Sequence, residues 1–251
     1  MKKAPKTVSL KLLAFNSNAK TAKSDKLSDQ YFTAILYLAP FNLSGYQVCP
    51  MADIAKCHEP CLNTAGRGKF NNVQKARIRK TRYYMQERKS FLEDLRNDLK
   101  KFSDFCSKHG RKPAIRLNGT SDLNWLKLIK EFPSITFYDY TKSMSDSFLS
   151  KAVKVQNYNL TLSYSQASFD YAKKVKEAHL KYGLNVAVVV RNEQAKSNFL
   201  GRIDSVFGKD NMNFLDGDKT DLRFLDRKNS IVFLSAKGQA KKDLSGFVID
   251  A

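Results

Sequence analysis

Four short apolar runs decide the fold: AIRLN at 114–118, ITFYD at 135–139, NLTLS at 159–163 and NVAVVV at 185–190. Each is rich in β-formers and bounded by polar residues, which predicts a strand. Helical segments are expected between them at 122–131, 145–155 and 168–182, with Ser121 placed to cap the first. A further helix is expected at 193–206, then a short strand near 212–215 and another at 231–235 (IVFLS). Strands alternating with helices imply right-handed βαβ units and parallel pairing. The fold class is therefore α/β. Six or more such units can close, or nearly close, into a partial or complete TIM-like (β/α) barrel.

Working outward, TVSLKLLAF at 7–15 and FTAILYL at 32–38 read as two more strands, with a polar, basic loop over 16–30. From Pro40 to about residue 70 runs a long irregular stretch that holds three of the four cysteines. A loop of that length without its own secondary structure is usually functional. One long helix is expected from Asn71 to about Ser107, because Phe91, Leu95, Leu99, Phe102 and Cys106 draw an apolar stripe. The whole reads as one α/β domain over 1–251, with the cysteine-bearing loop of 40–70 inside it.

In α/β barrels the carboxyl-terminal strand ends build the active site. Here those ends carry Arg116, Asn118, Ser121 and Asp122, then Asp139, Tyr140 and Lys142, then Ser163, Ser165 and Gln166. Arg191 and Asn192, Asp216 and Asp218, and Lys237 follow the later strands. Polar loops alone account for polarity there, but less well for charge directly after each apolar run.

The cysteine loop reads CPMADIAKCHEPCLNTAGRG from Cys49, a spacing of C-x7-C-x3-C. Clustered thiolates without a secretory signal point to metal rather than to disulfides. Soft thiolates suit zinc or iron–sulfur clusters. A structural zinc site usually shows two close cysteine pairs, which this loop lacks. Cys49, Cys57 and Cys61 are therefore expected to hold a [4Fe-4S] cluster, with Cys106 or a non-protein group as fourth ligand. Cys106 also continues the apolar stripe of the long helix, where a free cysteine behaves as a small hydrophobe. His58 is expected beside the cluster or exposed, and His179 on the surface.

The chain of 251 residues has 44 Lys plus Arg against 24 Asp plus Glu, a net charge of +20. Residues 62–112 hold 15 of those bases against 5 acids. A field of that size favours polyanions, nucleic acid first. Arg67, Lys75, Arg77, Arg79, Lys80 and Arg82 are the expected phosphate contacts, with Tyr83 and Tyr84 able to stack on bases. No apolar run is long enough to span a bilayer, and no membrane partner is expected. G-x-S-x-G, H-E-x-x-H and Walker loops are all missing, which argues against the common hydrolases.

The segments NSNAKTAK, YFTAILYLAP, CPMADIAKCHEPCLNTAGRG, NVQKARIRKTRYY, RLNGTSDLNW, DGDKTDLRFLD and AKGQAKKDLSGFVI together resemble a bacteriophage protein family. That family is named after a mycobacteriophage gene product numbered eighty-eight. The resemblance spans nearly the whole chain and implies a protein of the host cytoplasm. The order of elements is also similar to that of radical S-adenosylmethionine proteins. Those carry three cluster cysteines after the first barrel strand and a cofactor-holding motif after the second. The resemblance implies an open iron site for S-adenosylmethionine, with Asn118, Ser121 and Asp122 as cofactor contacts. The cysteine spacing departs from the usual C-x3-C-x2-C, and Pro60 stands where an aromatic residue is usual. Three functions follow as expectations: a nucleic-acid-binding iron–sulfur protein, a radical-S-adenosylmethionine-like enzyme, or a host-interaction protein stapled by its cluster.

Overall fold

The computed structural model describes residues 8–15, 30–208 and 212–250. The loop expected over 16–30 falls almost wholly outside them. The strands are β1 (Leu13–Ala14), β2 (Tyr31–Leu36), β3 (Lys112–Arg116), β4 (Thr136–Thr141) and β5 (Tyr158–Ser163). They continue as β6 (Asn185–Val190), β7 (Asn213–Asp216), β8 (Ser230–Ser235) and β9 (Val248–Ile249). All join one sheet in the order β1-β2-β3-β4-β5-β6-β8-β7, with β9 also paired to β6. Only β1 runs antiparallel. The α/β class and parallel pairing are as expected. The sheet does not close: β1 and β7 end it without pairing to each other.

From β2 to β6, neighbours in sequence are neighbours in the sheet. Right-handed crossovers without a reversal of order put every connecting helix on one face. The period of two then sorts the side chains. Phe32, Ala34 and Leu36 on β2, Phe137 on β4, Leu160 and Leu162 on β5, and Val186, Val188 and Val190 on β6 enter the main apolar core. Residues of the other parity, Arg116, Tyr140, Lys142, Ser163, Ala187, Val189 and Leu234, line a cavity on the opposite face.

The helices are α1 (Asn71–Gln86), α2 (Arg88–Lys108), α3 (Leu126–Lys130), α4 (Asp146–Ala152), α5 (Phe169–Tyr182), α6 (Glu193–Leu200) and α7 (Ile203–Phe207). The long helix expected over 71–107 is broken at Glu87 (φ −127°, ψ 49°). Residues 86–90 are all exposed, so no packing holds a continuous rod. Tyr83 and Tyr84 fold back on Phe91, with ring centroids 5.5 and 5.2 Å away. The helix expected over 193–206 is likewise interrupted, at Gly201 and Arg202. The first strand is shorter than expected because Asp98 on α2 accepts the backbone N–H groups of Lys11, Leu12 and Leu13 at 3.0, 2.6 and 3.0 Å. Those donors are lost to any ladder.

Helix α3 starts later than expected, and Ser121 does not cap it. The Oδ1 atom of Asn118 accepts from Ser121 Oγ (2.9 Å), Leu123 N (3.0 Å) and Trp125 Nε1 (3.1 Å). This local network holds 118–125 as a loop. Among the described residues no helix is long and apolar enough to cross a membrane.

Candidate functional site

The cysteine loop lies across the carboxyl ends of the parallel strands, and three segments hold it there. After β3, Asp122 N donates to Val48 O (2.9 Å) and the Cys49 thiol contacts Thr120 O (3.7 Å). After β5, Ser165 Oγ donates to Ala55 O (2.8 Å). From the C-terminal segment, Gln239 N donates to Thr64 Oγ1 (3.2 Å) and Ser245 Oγ to Lys56 O (3.3 Å). Gly238 (φ +60°) comes so close that a Cβ would meet Thr64 Oγ1 at 2.9 Å. A glycine is needed there twice over, for approach and for backbone angle.

Two non-glycine residues of this loop adopt left-handed backbone angles: Phe41 (φ 53°) and Lys56 (φ 52°). The N–H of Phe41 points at the Cys49 sulfur at 3.3 Å, and Lys56 immediately precedes Cys57. Backbone strain of this kind is retained where the surroundings over-determine it. Its position beside two of the three cysteines ties it to the placement of their thiols.

Cys49, Cys57 and Cys61 line one cavity of about 360 Å³ with Asn118, Ser121, Asp122 and Lys142. The sequence brought these groups together only through the fold. Burial pushes the Cys49 thiol up to about 12, with the neighbouring Cys61, Asp122 and Cys57 adding to it. Burial also raises Cys57 and Cys61. Burial opposes the charge on Lys142, yet Cys57, Asp122, Cys49 and Cys61 around it raise its pKa on balance. Its ammonium rests 5.4 Å from the Phe247 ring. Lys142 was visible in the sequence only as one of several strand-end charges. Asp122 is held by Thr141 Oγ1 (2.9 Å) and Lys142 N (2.8 Å).

Among the described residues no three of His, Cys, Asp or Glu are grouped to hold a single metal ion. The donor set is three soft thiols lining one cavity with the half-buried Lys142. Soft thiolates of this kind suit zinc and iron–sulfur clusters alike.

The other expected residues divide. Cys106 is wholly buried in the apolar core and does not line the cavity. Its stripe position, not its sulfur, explains it. Asn118 lines the cavity, but its amide is consumed by the network above and by Leu123 O (3.0 Å). It positions the loop. His58 stacks on Phe41 (4.9 Å) outside the cavity lining. His179, expected on the surface, is buried, with Nδ1 2.7 Å from Leu184 O.

On α1 the basic residues also part ways. Arg77 lies over the Tyr37 ring (4.6 Å) and donates to Asn63 Oδ1. Lys80 donates to Leu12 O (2.5 Å). Both are turned inward. Arg67, Lys75, Arg79 and Arg82 are exposed, as is Lys69. Tyr84 is buried, and the Tyr83 ring packs against Phe91 with the Lys11 ammonium over it at 5.3 Å.

An open, mostly parallel nine-stranded sheet with a thiol-lined cavity at its carboxyl edge defines a mixed α/β protein. The chain belongs to the family described as Gene product 88, which matches residues 10–251. No curated protein and no solved structure matches it.

Proposed function

We propose that the chain holds a [4Fe-4S] cluster on Cys49, Cys57 and Cys61 and works as a radical-S-adenosylmethionine-like enzyme. The observation that carries this reading is the single cavity shared by the three thiols and the carboxyl ends of β3, β4, β5, β6 and β8. Three thiolates leave one iron without a protein thiolate, and Cys106 is held in the core. The amino and carboxylate groups of S-adenosylmethionine suit such an iron, and the cluster when bound supplies the electron for its cleavage. The chain's own residues bind and orient. Lys142 offsets negative charge at the thiol end. Ser121 and Asp122 offer polar contacts to the cofactor, and Asn118 fixes the loop that carries them. Equilibrium binding of S-adenosylmethionine to the anaerobic protein tests this. Asp122→Asn and Lys142→Met should each weaken binding about tenfold, the scale of one lost charge-assisted hydrogen bond. Binding unchanged in both variants, or undetectable in the parent, contradicts the reading.

A second reading, nucleic-acid binding, rests on the exposed row Arg67, Lys75, Arg79 and Arg82 leading away from the cysteine loop. It is compatible with the first, as a surface that delivers a polyanionic substrate.

A further inference from the structure

Between Glu59 and Glu87 the chain has seven Lys or Arg and no acid. The fold divides these cations by face. Arg77 and Lys80 are turned inward, with their hydrogen bonds made to Asn63 and Leu12. Lys75, Arg79 and Arg82 are exposed, and spacings of four and three residues set them in one row along the outer face of α1. Lys75 and Arg79 pair with no acid among the described residues. Arg82 Nε donates to Ser44 O (3.2 Å), which ties the end of the row to the cysteine loop. A row of cations without counter-charge favours a polyanion.

The same stretch holds three aromatic rings. Tyr83 and Tyr84 pack on Phe91. Phe70 is 51% exposed, at the N-cap position of α1, with exposed Lys69 before it and Lys75 just over one turn beyond. The turn that carries Phe70 is pinned to the helix. Asn63 Nδ2 donates to Gln74 Oε1 (2.9 Å), and Gln74 Nε2 donates to Asn63 O (3.3 Å). Gly68 lies so close that a Cβ there would meet Asn63 O at 2.7 Å. Phe70 N donates to Arg67 O (3.2 Å), and Phe70 O accepts from Gln74 N (3.0 Å). A half-exposed ring on a turn held this way is ordered in advance, so little freedom is lost when a flat group stacks on it. From Phe70 to Arg82 the helix rises about 18 Å, a length that several nucleotides of an extended strand can follow.

We propose that Phe70 and the row Lys75, Arg79 and Arg82 form a platform for single-stranded nucleic acid. One unpaired base stacks on Phe70, and the cations hold the phosphates that follow it. The inference rests on the nucleic-acid reading and adds to it the strandedness of the partner and the stacking residue. A duplex offers phosphates to such a row but keeps its base faces stacked within itself, which leaves Phe70 unused. Every base has a π face, so a contact of this kind tolerates any sequence.

The test is fluorescence anisotropy of short labelled strands with the purified full chain. The strands are oligothymidylate, oligouridylate, a duplex of oligothymidylate with oligoadenylate, and an abasic strand of the same length and charge. Oligothymidylate or oligouridylate should bind about tenfold more tightly than the abasic strand, the scale of one base stacked on an aromatic ring. It should also bind more tightly than the duplex, and the tighter of the two assigns DNA or RNA. Phe70→Leu should remove most of that tenfold preference and leave the salt dependence unchanged, because it removes no charge. Phe70→Trp should keep the preference. Arg79→Gln should lower the salt dependence and keep the preference. The abasic comparison uses the unaltered chain and does not depend on how any variant folds. An abasic strand or a duplex bound as tightly as the single strands overturns the platform and leaves the nucleic-acid reading standing. So does a preference untouched by Phe70→Leu. Failure of every strand to bind overturns both.

Discussion

Cys49, Cys57 and Cys61 differ from Cys106 in where they lie: along the cavity at the carboxyl ends of the strands in one case, within the apolar core in the other. If the proposed cluster is bound, each of Cys49→Ala, Cys57→Ala and Cys61→Ala should lose its iron. Cys106→Ala should keep it while costing about 1 kcal/mol from the small core void, measured by denaturant unfolding. Asn118→Ala should cost more, about 3 kcal/mol, since it strands several buried donors at once. Trp125, the single tryptophan, bonds to Asn118, so its fluorescence reports that loop directly. Asp139 gives a pH prediction. Burial raises its carboxyl to about 7, against 3.8 as the ordinary value, despite the N–H of Asn118. Between those values the folded state holds a proton that the unfolded state has released. Stability from this group therefore falls as pH rises from about 4 to about 7. Asp139→Asn should flatten the fall in urea midpoint over that window, and an unchanged slope would refute it. The clustered thiols were legible because their spacing is local. Lys142 was not singled out, because nothing in the sequence says which strand-end charge turns toward them.

At the scale of elements, the strands were the most legible part. Their apolar runs are short and sharply bounded, and β3 to β6 and β8 fall within two residues of expectation. Helix ends were less so, because they depend on tertiary partners. Asp98 shortens β1, Asn118 delays α3, and solvent at residues 86–90 lets the long helix break. The clamps on the cysteine loop were out of reach for a different reason. Ser165 to Ala55 and Gln239 to Thr64 join residues more than a hundred positions apart. The division of α1 gives an element-scale prediction. If this face binds nucleic acid, Lys75→Glu, Arg79→Glu and Arg82→Glu should weaken binding and lower its salt dependence by about one unit per contact removed. Lys80→Met should instead lower stability, as Leu12 O loses its donor. Affinity unmoved by the three charge reversals would exclude α1 as the contact.

For the whole molecule, the alternation of strands and helices points to the α/β class, and the sheet stays open, with β1 and β7 as its edges among the described residues. Closure was not legible, because it depends on how the last strands turn. Here β7 and β8 exchange order and leave β7 at the edge. That arrangement frees residues 217–226 to fold under the cavity and supply its floor. The site thus joins the first third of the chain, through its cysteines, to the last, through Asp221 and Lys237. If the proposed cluster is bound, its loss should loosen both ends together, since a metal center that ties distant segments contributes directly to folding. The most direct test quantifies iron, acid-labile sulfide and zinc in anaerobically purified protein, then records low-temperature paramagnetic resonance after reduction, with and without S-adenosylmethionine. The account predicts a four-iron cluster whose signal changes when the cofactor is added. Zinc without iron, or a four-iron signal indifferent to the cofactor, would contradict it.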